Sequence, residues 1–96
     1  MSTQNTFATD LQTGAWTPYR EPSAQELAIF NEAMKGIIGV NYKPQAVSSQ
    51  VVAGMNYRFK CHASLPQAPI GGWEAIVEIY QPLEGLPPYV TGIIRL

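Results

Sequence analysis

The chain has 96 residues, of which 46% are hydrophobic and 14% charged, so it is long enough for one small domain and too apolar for a disordered protein. Six Lys and Arg residues against seven Asp and Glu residues give a formal net charge of −1. That balance argues against nucleic acid and against a membrane surface as partners. The single cysteine, Cys61, excludes an intrachain disulfide framework and a zinc site built from several thiolates.

The N-terminal residues 1–13 are polar and show no hydrophobic period, which predicts a flexible tail ahead of one domain over residues 14–96. They lack the basic segment followed by an apolar segment that marks a secretory signal, so we expect a cytoplasmic protein. Trp16 follows Gly14 in a segment too irregular for a helix. It either packs on the domain or forms an exposed contact, and the sequence leaves both open.

A helix is predicted over residues 24–38. Ser23 and Glu26 have the spacing of a capping box, in which each side chain accepts a hydrogen bond from the other residue's backbone N–H. Gly39 is a natural stop, because glycine adopts the left-handed conformation that follows many helices. The apolar positions that recur at helical spacing are Leu27, Phe30, Met34, Ile37 and Ile38.

After Gly39 the hydrophobic period changes to two, which predicts strands. Turn signals at Ala53-Gly54, at residues 66–72 and at residues 82–88 divide this part into four antiparallel strands, with a short extra strand near residues 16–19. The predicted fold is α+β, one helix packed across a four- to five-stranded antiparallel sheet. The residues expected to be largely buried are Phe30, Met34, Tyr57, Phe59, Cys61 and Val77.

The sequence offers no set of catalytic residues. Cys61 and His62 are neighbours on a predicted strand, so their side chains point to opposite faces and cannot form a nucleophile–base pair. Cys61 belongs to the apolar face and is expected to be a small core residue. No phosphate-binding glycine loop, metal-ligand spacing or Ser/His/Asp set occurs, so we predict no catalytic residue, no metal, no cofactor and no enzyme activity.

The tip of the first predicted hairpin is unusually apolar for a turn, since Val51, Val52 and Ala53 stand where Asn, Asp or Ser is usual. The segment Gln50-Val51-Val52-Ala53-Gly54 is identical to the central loop motif of the cystatins, the protein inhibitors of papain-like cysteine proteases. It follows a capped amphipathic helix and precedes Asn56-Tyr57, as in that family. The chain therefore resembles a cystatin over residues 14–96.

The segment from Leu83 to Gly92 resembles the second hairpin and last strand of the stefins, the intracellular branch of the family that has no disulfides. Two departures stand out. Pro87-Pro88-Tyr89 replaces the Pro-Trp that many cystatins carry in the second loop, although stefins also lack that pair. Gly14-Ala15 stands for the usual N-terminal glycine, and the tail before it is longer than in typical stefins.

The resemblance implies the cystatin fold and reversible, tight, non-covalent inhibition of papain-like proteases of the cathepsin type, with three apolar segments filling the protease active-site cleft. The alternative is a non-inhibitory protein-binding module on the same fold, because a fold does not determine function. The expected state is a monomer, with a domain-swapped dimer through the first hairpin as the alternative. The implied protease-binding residues are Gly14, Ala15 and Trp16 in the N-terminal trunk, Gln50, Val51, Val52, Ala53 and Gly54 in the first loop, and Leu83, Glu84, Gly85 and Leu86 in the second.

Overall fold

The computed structural model describes residues 14–96, and the predicted flexible tail, residues 1–13, lies outside the described residues. One helix packs against a four-stranded antiparallel sheet with strand order β1-β2-β3-β4, which confirms the predicted α+β class. No helix in the described part of the chain has the length and apolar character needed to cross a membrane. The elements are α1 (Ala24–Ala33), a 3₁₀ turn (Met34–Gly36), β1 (Asn41–Val52), β2 (Gly54–Leu65), β3 (Ala68–Gln81) and β4 (Tyr89–Arg95).

The start of α1 is the predicted one. The Glu26 backbone N–H donates to the Ser23 hydroxyl at 3.1 Å, and the Ser23 N–H donates to the Glu26 carboxylate at 3.0 Å. Glu26 also pairs with the guanidinium of Arg20, which in turn donates to the Ser49 hydroxyl at 3.3 Å. Glu26 therefore links the start of the helix to β1 through Arg20, and it also accepts the hydrogen bond of the Ser23 backbone N–H.

The predicted end of the helix is wrong. The α-helix ends at Ala33, and the Met34–Gly36 turn that follows closes with a bond from the Ile37 N–H to the Met34 carbonyl at 2.9 Å. Ile38 is 88% exposed. Gly36 favours this early end, because glycine is a poor helix former, and the extended backbone of Ile37 then carries the chain towards β1.

The core lies between α1 and one face of the sheet, which we call the core face. The side chains of Phe59, Cys61 and Val77 are fully buried there, so the predicted strand register is confirmed. The rings of Phe30 and Phe59 lie 4.9 Å apart and join the helix to the sheet. Met34, predicted to be largely buried, is only half-buried at the edge of this cluster.

One strand boundary differs from the prediction, and another strand contains a proline. Strand β1 begins at Asn41 and includes Pro44, where the register shifts by one residue. Strand β3 already begins at Ala68, so the predicted turn over residues 66–72 is limited to its first residues. Pro44 is tolerated because β1 is an edge strand, where a missing N–H need not break a ladder.

The predicted extra strand near residues 16–19 is present only as two isolated bridges, Trp16 to Gln50 and Arg20 to Val47. Cross-strand partners share a face of the sheet. Arg20 therefore lies with Val47 on the core face, and Trp16 lies with Gln50 on the opposite face, which we call the open face. Polar side chains of β2 line the open face: Asn56, Arg58, Lys60 and His62.

His62 of β2 contacts two residues of β3, at the end of the β2–β3 hairpin that lies away from the Ala53 turn. Its Nδ1 lies 3.1 Å from the Glu74 carboxylate and its Nε2 lies 2.7 Å from the Gly71 carbonyl oxygen. Both neighbours are acceptors, so only the doubly protonated imidazolium donates to both. The hydrogen bond to Glu74 and then that to Gly71 raise the pKa of His62 above its ordinary value.

We expect the chain to be more stable when His62 is charged. A raised folded-state pKa contributes stability that is complete below the unfolded value of about 6.5 and is lost as the pH rises through the folded value. His62 is the chain's one histidine, so its proton NMR titration is unambiguous. Glu74→Gln should move the His62 pKa back towards the unfolded value, and an unchanged pKa in that variant would contradict the assigned contact.

Candidate functional site

The first hairpin turns at Ala53, between β1 and β2. Gly54 has φ +107°, and a Cβ there would lie 2.4 Å from the Gln81 carbonyl oxygen. Only glycine fits, because the backbone conformation and the space both exclude a side chain. The Tyr80 hydroxyl donates to the Ala53 carbonyl. The turn is therefore held from outside by β3, which gives the hairpin tip a fixed shape.

The N-terminal segment Gly14, Ala15 and Trp16 lies along the outer edge of β1, beside this hairpin. The Gly14 N–H donates to the Val51 carbonyl at 3.0 Å. The guanidinium carbon of Arg58 lies 4.1 Å from the centre of the Trp16 ring, within the range of a cation–π contact. Trp16 is half-buried, so of its two alternatives the structure shows packing on the sheet, with the rest of the indole still accessible.

Gln50 connects the N-terminal segment to the first hairpin. Its Nε2 donates to the Gly14 carbonyl at 3.0 Å, and its Oε1 accepts from Asn56 Nδ2 at 2.8 Å. The amide is thus used at both ends within the chain. The structure gives the first residue of the motif a positioning role, since it sets where Gly14 lies relative to Val51.

The second loop joins β3 to β4 over residues 82–88. Gln81 Nε2 donates to the carbonyl oxygens of Pro82 at 3.1 Å and Leu86 at 2.7 Å, which closes the loop from inside. Glu84 and Gly85 both have positive φ, 65° and 73°, and form its tight bend. Leu83 and Leu86 are each 58% exposed, so the loop presents two large apolar side chains to solvent.

The structure brings all three predicted segments to one end of the sheet. In the β2–β3 register Met55 lies opposite Gln81, so the first turn and the second loop are neighbours, and Gly14 is bonded to the first hairpin. We call this end the loop end. Within it Ala15 and Ala53 are exposed, while Val51 and Val52 are half-buried. Its twelve residues are Gly14, Ala15, Trp16, Gln50, Val51, Val52, Ala53, Gly54, Leu83, Glu84, Gly85 and Leu86.

Charge is scarce at the loop end, since Glu84 is its one ionisable side chain. An exposed apolar surface with little charge is typical of a surface that docks against another molecule. The residues that hold the loop end in place were missed by the sequence reasoning: Asn56, Arg58, Tyr80 and Gln81. Asn56, Arg58 and Tyr80 lie on the open face, and their partners come from distant parts of the chain and leave no local pattern.

Cys61 offers no nucleophilic chemistry. Burial, and secondarily the charge of Glu74, raises the pKa of the thiol to about 12, so it stays protonated at physiological pH. The thiol lies 3.5 Å from the Phe59 carbonyl, while His62 points to the open face. Within residues 14–96, no three His, Cys, Asp or Glu side chains are grouped as metal ligands would be.

Comparison with known proteins gives no family. No protein-family model, no curated protein and no solved structure matches the chain.

Proposed function

We propose that this chain is a cystatin-like, reversible, tight-binding inhibitor of papain-like cysteine proteases. The observation that carries the proposal is the meeting of three apolar segments at the loop end, one of which has the sequence Gln50-Val51-Val52-Ala53-Gly54. A fixed projection made of three segments suits a long cleft better than a shallow surface. On this proposal the fold is a cystatin fold and the protein acts in the cytoplasm, which the single buried free thiol of Cys61 favours.

The proposed mechanism is occlusion of the protease cleft. The N-terminal segment fills the non-primed side, and the two loops, with Val51 and Val52 in the first and Leu83 and Leu86 in the second, fill the primed side. The tip gives small, stiff side chains whose ordering costs little free energy. Contacts from Tyr80, Gln81 and Gln50 fix the segments before binding, and such preorganisation lowers the cost of association.

Titration of papain with the purified chain, followed with a fluorogenic peptide substrate, tests the proposal. We expect one-to-one loss of activity, recovery of activity on dilution, and an intact chain by mass spectrometry after long incubation. Recovery and an uncut chain together distinguish occlusion from slow cleavage. A folded chain that leaves papain fully active at large molar excess would contradict the proposal and favour the non-inhibitory binding module, which would use the same exposed apolar loop end.

Cys61 is expected to be dispensable for inhibition. Cys61→Ser places a hydroxyl in the fully buried core and should lower the free energy of unfolding by about 1–3 kcal/mol. The inhibition constant should stay within a few-fold, because Cys61 lies on the core face away from the loop end. Cys61→Ala is the matched control without a polar group. Loss of inhibition by folded protein in both variants would indicate thiol chemistry.

A further inference from the structure

The two edges of the sheet differ in how they are covered. The edge of β1 is bonded by the N-terminal segment, through Gly14 to Val51, Thr17 to Ser49 and a reciprocal pair between Arg20 and Val47. In the described part of the chain β4 pairs only with β3. The outer edge of β4 therefore presents backbone groups that residues 14–96 leave unpaired.

The register identifies which groups these are. The Leu96 N–H donates to the Glu74 carbonyl at 2.9 Å, so Leu96 faces β3. The direction of the backbone N–H and C=O groups alternates along an antiparallel strand. The backbone groups of Ile94 and Gly92, which lie opposite Ile76 and Glu78, therefore point to β3 as well. Ile93 and Arg95 then direct their N–H and C=O groups outward.

Strand β4 carries one feature that protects edge strands, a bulge at Thr91, which has no partner in β3 between Gly92 and Val90. Lysine and proline are missing from its sequence, and Arg95 is its one charged residue. Ile93 is 38% exposed and Ile94 is 47% exposed. A strand with outward donors and acceptors and exposed β-branched side chains is suited to pair with another strand.

We propose that the β4 edge pairs antiparallel with the β4 edge of a second copy of this chain, about a two-fold axis at Ile93. This register sets Ile93 against Ile93 and Ile94 against Gly92, and the regular pairing stops at the Thr91 bulge, which lies across from Arg95. Each Ile94 side chain then lies opposite a glycine, and the two copies of Arg95 are not cross-strand neighbours. A two-fold axis makes the same strand complementary to itself, which favours a second copy over an unrelated peptide.

The pairing leaves the loop ends free. Antiparallel β4 strands place the two loop ends at opposite ends of a continuous eight-stranded sheet. The dimer is therefore independent of the proposed inhibition, and each copy keeps its own loop end accessible. If the β4 dimer is disproved, the proposed inhibition is still tested by the papain titration, and the dimer is likewise tested independently of inhibition.

Sedimentation velocity of the full chain over about two decades of concentration tests the pairing by mass action. We expect a shift from one copy of 10.5 kDa towards two as concentration rises. Ile93→Lys places like charges opposite each other at the axis and should weaken the dimer at least tenfold, about 1.4 kcal/mol. Ile70→Lys is the matched control, because Ile70 is 95% exposed in the β2–β3 hairpin. A chain that is monomeric throughout, or equal dimerisation of the two variants, overturns the proposal.

Cysteine cross-linking tests the register without charging the strand. Opposed residues of a hydrogen-bonded antiparallel pair have Cα atoms about 5.5 Å apart, within disulfide reach. Ile93→Cys should form a disulfide-linked dimer on mild oxidation. Ile94→Cys should not, since two copies of residue 94 lie diagonally across the axis. Preferential linking at residue 94 overturns the axis at Ile93.

A domain swap through the first hairpin gives a different result. A swapped dimer forms on heating and persists on dilution, whereas the β4 dimer re-equilibrates quickly. The swapped dimer would also form in the Ile93→Lys variant. A dimer with those two properties overturns the proposal.

Discussion

Removing the chain through Trp16 is expected to weaken papain inhibition at least tenfold, whereas removing residues 1–13 alone should change it little. The longer truncation deletes the Gly14 contacts to Val51 and Gln50 and the indole that packs on Arg58. The accessible part of the indole is available to a protease subsite, and its burial contributes on the order of 2 kcal/mol, more than tenfold in affinity.

Point variants separate binding from stability in this experiment. Trp16→Ala should reproduce most of the loss of inhibition. Tyr19→Ala is the matched control, because Tyr19 is an exposed aromatic that contacts Lys60 on the open face and lies outside the loop end. Melting temperature and inhibition constant are measured on every form. A truncated chain that melts earlier yet inhibits as tightly as the full chain would show that Trp16 acts only within its own domain.

Gly54→Ala is expected to disrupt the first hairpin and to lower both stability and inhibition. The added Cβ would lie 2.4 Å from the Gln81 carbonyl oxygen at a φ of +107°, so the turn must move away from β3. Backbone strain and this clash together should cost about 3 kcal/mol. The displaced tip no longer meets the second loop, so inhibition should fall at least tenfold.

The control for this variant is Gly39→Ala. Gly39 has a similar φ of +96°, but a Cβ there meets no atom within 4 Å, and the residue lies between the helix and β1. It should cost about 1 kcal/mol through strain alone and leave inhibition unchanged. Denaturant unfolding and papain titration of both variants give the comparison. Equal losses in the two variants would mean that close packing of Gly54 against Gln81 is unimportant.

Local chemistry made several elements predictable from the sequence. The helix start follows from Ser23 and Glu26, which lie three residues apart and satisfy each other's backbone. The alternation in β2 and β3 placed Phe59, Cys61 and Val77 in the core, because a buried face allows only one of the two registers. Opposite placement of Cys61 and His62 followed from the same alternation.

The helix end and the strand starts depended on packing that no short window contains. Ile37 and Ile38 have the spacing of a helix face, yet the α-helix ends at Ala33 and Ile38 is exposed. Residues 68–72 belong to the turn predicted over residues 66–72 but lie within β3. Ala68 pairs with Leu65 and Trp73 with Ala63, so both ends of this stretch are held in the sheet, because ladder bonds and cross-strand contacts outweigh the propensity of single residues.

The candidate site divides in the same way. The sequence by itself determined the five-residue motif, the trunk glycine and the apolar second loop, since these are short runs readable without a fold. Only the tertiary structure decided that they lie together, because contacts such as Gly14 to Val51 and Tyr80 to Ala53 join residues far apart in the chain. It also decided that Gln50 bonds within the chain and that no strand among residues 14–96 pairs with the outer edge of β4, since hydrogen-bond direction follows from strand register and not from residue type.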